Sequence, residues 1–182
     1  MSCVAEYTTT KTLNDLATQI SEWISQNGVE NFHLSKLLPL LAKYEGSDWS
    51  MCQSTHLKDY CRHRKELAQI EHYGVVYEIL ILTWNPESGT PVHNHPNTGC
   101  IYKILSGELM EDIYDSEQKQ STRLKSSWLK KGDCGYIDDT IGFHRIWNPT
   151  KTPSVSVHIY EANYKPECFD GFEIPDCVNG NC

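Results

Sequence analysis

The sequence has no apolar run near the ~18 residues that a membrane-spanning helix needs. Its opening stretch, MSCVAEYTTTKT, lacks the basic and apolar regions of a secretory signal. Basic side chains are also scarce: 16 against 24 acidic ones leave a formal charge of -8. The only dense basic stretch is CRHRKE, around Arg62 and Arg64. No nucleic acid and no membrane are expected as partners, and a soluble protein of the cytoplasm is the expectation. Cysteine is not lacking, with eight in the chain (3, 52, 61, 100, 134, 168, 177 and 182), but no CxxC pair occurs. That excludes a zinc ribbon or a thioredoxin-type motif and leaves free thiols in a reducing compartment as the default. Internal repeats and low-complexity tracts are absent too.

The 182 residues suffice for one core, since a chain of this size buries roughly 70% of its unfolded surface. A single domain over 1–182 is therefore expected, in three stretches. Residues 1–72 read as mainly helical. In TLNDLATQISEWISQNG the apolar Leu13, Leu16, Ile20, Trp23 and Ile24 recur at steps of three and four, and Asn27-Gly28 marks a stop. LSKLLPLLAKYEG suggests a second helix with Pro39 in its first turns and Gly46 at its end. SDWSMCQSTHLKDYCRHRKELAQIEH is ambiguous, with a further helix and a connection as one reading. Residues 73–166 change period: VVYEILILTW, GCIYKIL, GELMEDIYD, RLKSSWLKKG, GYID, GFHRIWN and SVSVHIYEA are short β-rich runs separated by turns. Many strands without interleaved helices predict a mainly β sandwich or barrel behind N-terminal helices. Residues 167–182 mix Pro, Gly and polar side chains and read as an irregular tail.

GTPVHNHPNTGC, Gly89 to Cys100, carries the chemistry. Residues two apart in a strand share a face, so His93 and His95 can present both rings to one metal while Asn94 points away. Pro91 and Pro96 bracket them and suit a strand edge or barrel rim. His144, in IGFHRIWN, is a third candidate ligand. Three neutral imidazoles with open positions describe a catalytic metal site, because a structural one is closed by a fourth protein ligand. The plain alternative is a set of polar side chains on a barrel rim. In SVSVHIY, Ser156, His158 and Tyr160 alternate with Val155, Val157 and Ile159, so the first three share a face and suit a hydrogen-bonded row or a polar seam.

The wider spacing narrows these readings. From His93 it is HxH, four residues, Cys100, six residues, Gly107; from His144 it is three residues to Asn148. This resembles the two metal-site motifs of the cupins, with Cys100 where many cupins carry a glutamate ligand. A small cupin β-barrel of the jelly-roll type follows, with three histidines and no anionic protein ligand.

Within the cupins the chain resembles the cysteine dioxygenases from about Trp49 to Cys168, through YCRH, ILILTW, PVHNHPNTGC, LSGELMEDIY, YIDDTIGFHRIWN and SVSVHIY. The resemblance implies an enzyme using Fe(II) and O2 to convert L-cysteine to cysteine sulfinate, with those two small molecules as its partners and a monomer as its state. It implies His93, His95 and His144 as the Fe(II) ligands, and Cys100 and Tyr160 as the pair the family joins by a thioether bond. Ser156 and His158 would support the tyrosine hydroxyl. Arg62, with Tyr60 beside it, would grip the substrate carboxylate, and Arg64 is a near competitor. EANYKPEC departs from the Ser-Pro-Pro turn of the animal enzymes, and Cys168 is offset from a cysteine flanking their substrate entrance, so it is assigned no role. His33, His56, His63 and His72 match no site motif and are expected at the surface. A dioxygenase for 3-mercaptopropionate or cysteamine, or a non-catalytic cupin that binds metal or another ligand, are the rival readings.

Overall fold

The computed structural model describes residues 10–28, 32–52, 62–72, 74–116, 122–162 and 164–169, with only the backbone described for 62–70 and 72. The first element is helix α1, Leu13–Asn27. Of the residues the periodicity picks out, Leu13, Leu16, Ile20 and Ile24 are buried, and Trp23 is partly buried against the same core. Thr12 caps the start by accepting the Asp15 N–H at 3.0 Å, and the Gly28 N–H closes the last turn on the Ile24 carbonyl at 2.9 Å. A 3-10 turn, Leu34–Leu37, leads into the short helix α2, Leu38–Ala42, with Pro39 in its first turn. No helix among the described residues is long and apolar enough to cross a membrane.

Among the described residues ten strands follow: β1 Arg62–His72, β2 Val75–Trp84, β3 Val92–His93, β4 Cys100–Ser106, β5 Glu108–Tyr114, β6 Arg123–Lys130, β7 Cys134–Ile137, β8 Phe143–Trp147, β9 Ser154–Glu161 and β10 Cys168–Phe169. They form two five-stranded sheets, ordered β1-β2-β9-β4-β7 and β10-β3-β8-β5-β6. Among the described residues, neighbouring strands in both sheets pair antiparallel. The expected mainly β architecture behind N-terminal helices is what the molecule adopts.

Strands β2, β9 and β4 of the first sheet are buried on both faces; β2 reads as a near-continuous apolar run, whereas β9 alternates apolar residues toward the helices with Ser156, His158 and Tyr160 toward the second sheet. Tyr77, Ile79, Ile81, Ile101, Val155, Val157 and Ile159 share a core with the helical Leu16, Ile20, Ile24, Leu40 and Leu41. Leu80, Leu82, Trp84, Tyr102 and Ile104 face the second sheet and pack with its Leu109, Leu129 and Ile146. Lys103 ties the layers together from the outer face of β4. Buried at 7% exposure, its Nζ donates to the carbonyls of Ala42 and Tyr44, each at 2.7 Å, and so closes the end of α2.

Three readings are corrected. The helical region does not extend to residue 72: Arg62–His72 is strand β1, paired to β2 with a register shift between Glu66 and Ala68. Its charged composition favours helix in isolation, but it also suits an edge strand, where exposed charge discourages further pairing. The tail does not begin irregularly at 167, because Cys168 and Phe169 pair with His93 and Val92 as β10. Phe169 stacks on Phe143 with centroids 4.8 Å apart, which supplies the apolar contact that holds this short strand. Cys52, Cys100 and Cys134 are free thiols as expected, whereas Cys168 is disulfide-bonded.

Candidate metal centre

The two sheets meet at a cavity of about 70 Å³ whose wall includes His93, His95, His144, Cys100, His158 and Tyr160. At roughly 10–15 Å³ per water measured this way, it holds a few waters or a molecule the size of a small amino acid. His93 ends β3 and stands directly opposite His144 of β8 in the ladder. His95 lies just past β3, in the crossing to β4, where its backbone N–H donates to Asp139 Oδ1 at 2.7 Å. Gly99 completes the crossing at φ 79, with its N–H on the Pro96 carbonyl at 2.8 Å. A Cβ there would fall 2.4 Å from the Tyr136 ring, so glycine is needed for both the turn and the fit.

The three imidazoles converge. Their ring centroids are 5.1 Å (His93–His95), 4.8 Å (His93–His144) and 4.5 Å (His95–His144) apart. One nitrogen from each lies within 4.8 Å of the other two. The remaining contacts set the tautomers. His93 Nδ1–H donates to the Pro91 carbonyl at 3.0 Å, and His144 Nδ1–H donates to Glu111 Oε1 at 2.9 Å, so that each ring is held through its Nδ1. Nε2 of His95 is buried with no hydrogen-bond partner, and its Nδ1 stands 3.4 Å from an Asp139 oxygen already engaged by the His95 backbone. Burial first, then the neighbouring His144, lowers the pKa of His95 to about 4, so its ring is neutral at pH 7. An orphaned buried nitrogen costs about 1–3 kcal/mol. A metal ion removes that cost, and three neutral imidazoles are a fitting donor set for a first-row divalent ion.

Across the cavity, Cys100 of β4 is the direct cross-strand partner of Tyr160 of β9. Burial, with Glu111 adding to it, pushes the Cys100 thiol up to about 12, which keeps it protonated. Ser156 and His158 are buried on the same face of β9, and Val155, Val157 and Ile159 are buried on the other. Trp84 Nε1–H donates to Ser156 Oγ at 2.8 Å, and Ser156 Oγ is hydrogen-bonded to His158 Nε2 at 2.8 Å. His158 Nδ1 faces the Cys100 sulfur 3.9 Å away.

The carboxylate-binding candidates are described less fully. Arg62 pairs with Trp84 at the end of β1 through its backbone, so it starts the strand that borders the Trp84 end of the cavity. The side chains of Arg62 and Arg64, and Tyr60 entirely, lie outside the described residues, as do His56 and the side chains of His63 and His72. His33 is exposed and bonds the Tyr136 hydroxyl at 3.2 Å. Sequence reasoning missed Trp84, Tyr102 and Glu111. One signal was available for Glu111: a carboxylate in step with Leu109 and Ile113 on an inner strand face. It also missed the outer wall, where Asn94 Oδ1 accepts from the Tyr164 hydroxyl and the Glu167 N–H, each at 2.7 Å.

A two-sheet β-barrel with histidines from two separate segments gathered at one cavity defines a cupin. The family model described as Cysteine dioxygenase type I matches residues 1–170, and the chain belongs to that family. It is 28% identical over 156 residues to cysteine dioxygenase type 1 of Rattus norvegicus, covering 82% of this chain and 74% of the relative. Against the Danio rerio protein of the same name it is 25% identical over 160 residues, covering 85% and 77%. Among solved structures, oxalate oxidase in complex with glycolate overlaps with a TM-score of 0.48 at 21% identity, covering 60% of this chain and 56% of that one.

Proposed function

We propose that this chain is a thiol dioxygenase that converts L-cysteine and O2 to cysteine sulfinate at an Fe(II) ion held by His93, His95 and His144. The observation that carries the reading is the convergence of one ring nitrogen from each of His93, His95 and His144 at a cavity that also contains Cys100 and Tyr160. When bound, the iron supplies a Lewis-acid template on which a thiol loses its proton and meets O2. Both oxygen atoms pass to sulfur, whose four electrons reduce O2, so no external donor is required.

The chain's own residues do the remaining work. Burial of His95 and His144 excludes bulk water, and the neutral ring of His95 offers a lone pair to the metal. Tyr160 orients the reactants, with Ser156 and His158 fixing that face of β9. Cys100 and Tyr160 form the thioether bond, a role that their cross-strand pairing supports. Arg62, supported by Tyr60, binds the substrate carboxylate and so favours cysteine over cysteamine. Arg64 is the competitor for that role.

The test is anaerobic loading with Fe(II), then addition of L-cysteine, 3-mercaptopropionate or cysteamine with air while O2 uptake and sulfinate are followed. L-cysteine is expected to turn over fastest, and Arg62→Gln to lose that preference. Unchanged preference in the variant removes Arg62 from its role. Bound iron without O2 uptake on any of the thiols favours the non-catalytic cupin.

A further inference from the structure

After β9 the chain returns to the second sheet, where segment 164–169 runs beside the histidines. Cys168 and Phe169 pair with His93 and Val92, and the Asn94 N–H carries the ladder one step further by donating to the Glu167 carbonyl at 3.3 Å. Tyr164 and Pro166 of this segment line the cavity together with His93 and His95. Part of the cavity wall is therefore supplied by a piece of chain outside the regular strands.

The side-chain bonds that hold this wall meet at one atom. Asn94 Oδ1 accepts from the Tyr164 hydroxyl and from the Glu167 N–H, each at 2.7 Å. A carboxamide oxygen has two lone pairs, so these donors use both. Asn94 stands between His93 and His95 in the chain and lines the cavity itself. At the far end of the segment Phe169 stacks on Phe143, which leaves Asn94 to fix the end that carries Tyr164 and Pro166.

We propose that Asn94 is a latch that sets the position of this wall, and that Tyr164 and Pro166 thereby limit the cavity to thiols of cysteine length. The inference rests on the thiol reading above and adds to it the determinant of substrate size. In a cavity of about 70 Å³ a longer substrate has to displace a wall. One methylene in a fitted pocket is worth about 10–200-fold in discrimination, so L-homocysteine, one methylene longer than L-cysteine, is the probe. Tyr164→Phe removes one latch bond and keeps the ring. Asn94→Ala removes both side-chain bonds, whereas Asn94→Asp keeps an oxygen acceptor for both donors.

The experiment reads two quantities, neither of them turnover. Amide hydrogen exchange across 164–169 is followed in the metal-free protein without thiol. L-cysteine and L-homocysteine are then titrated into the Co(II)-loaded protein through the thiolate-to-cobalt charge-transfer band. Exchange is expected to quicken about 3–10-fold in Tyr164→Phe and further in Asn94→Ala. The preference for L-cysteine over L-homocysteine is expected to fall by at least about fivefold in Asn94→Ala. Asn94→Asp is expected to stay within about twofold of wild type in both quantities. A change in only one quantity, or in neither, overturns the inference, as does an Asn94→Asp that behaves like Asn94→Ala or a wild type without the preference. If Asn94→Ala does not fold, Tyr164→Phe decides: faster exchange with a weakened preference supports the latch, and any other result overturns it. A Co(II)-loaded wild type that shows the band with neither thiol overturns the thiol reading itself, and this inference with it.

Discussion

Glu111 and Asp112 are adjacent carboxylates that serve opposite faces of one sheet. Glu111 turns inward to His144, while Asp112 accepts from Arg145 Nε at 2.9 Å and Nη2 at 2.8 Å, with the Ser126 hydroxyl as a further donor. Burial raises the Asp112 pKa, but the Ser126 and Arg145 hydrogen bonds outweigh it and hold the group below the usual carboxylate range. A carboxylate depressed in the folded state contributes stability that is present above its unfolded pKa of about 3.9 and is lost as pH falls through the lower folded value. Asp112→Asn is therefore expected to be less stable at neutral pH and to lose less stability than wild type on acidification below about pH 4. Urea unfolding at a series of pH values measures this, and parallel pH profiles would contradict it. Cys100 offers a covalent test at the same scale. Joining its sulfur to the Tyr160 ring removes one hydrogen from each, with O2 as oxidant. Intact-mass spectra after aerobic turnover are expected to show the wild type lighter by two hydrogens and Cys100→Ser unchanged. A wild type that keeps full mass after prolonged turnover would exclude the bond.

Elements differ in how much of them the sequence discloses. Helix α1 was legible because its apolar spacing and its Asn27-Gly28 stop agree. Strands β2 and β4 were legible from mostly apolar, β-rich runs, and β9 from its strict alternation of apolar and polar residues. Strand β1 was not, because RHRKELAQIEH is a good helix composition whose extended state is set by pairing with β2, a tertiary effect that overrides local preference. Strands β3 and β10 span two residues each and have no period to read. Lys103 shows how one side chain joins two elements. Lys103→Met keeps the stem but leaves the Ala42 and Tyr44 carbonyls without their donor. An expected loss of about 1.5–3 kcal/mol in denaturant unfolding checks this, and a loss well under 1 kcal/mol would show that water or another donor replaces the lysine.

Across the whole molecule, the second sheet supplies His93 and His144, the first supplies Cys100, His158 and Tyr160, and His95 sits on the crossing between them. The ligand spacing was legible as a motif because two short segments carry it. Glu111 and Tyr102 were not, since their meaning depends on which strands are neighbours and in what register. A metal held by both a loop and a sheet couples binding to folding. Saturating metal at roughly 100 times its dissociation constant is expected to add about 2.7 kcal/mol of stability, visible as a rise in Tm that His144→Ala lacks. The most direct measurement of the proposed chemistry is the isotopic composition of the product formed from L-cysteine under oxygen-18 gas by the Fe(II)-loaded protein. The expected product is a sulfinate carrying two labelled oxygens, absent when His144→Ala is used. Unlabelled or singly labelled product, or cystine and peroxide in place of sulfinate, would contradict a dioxygenase centre at the three histidines.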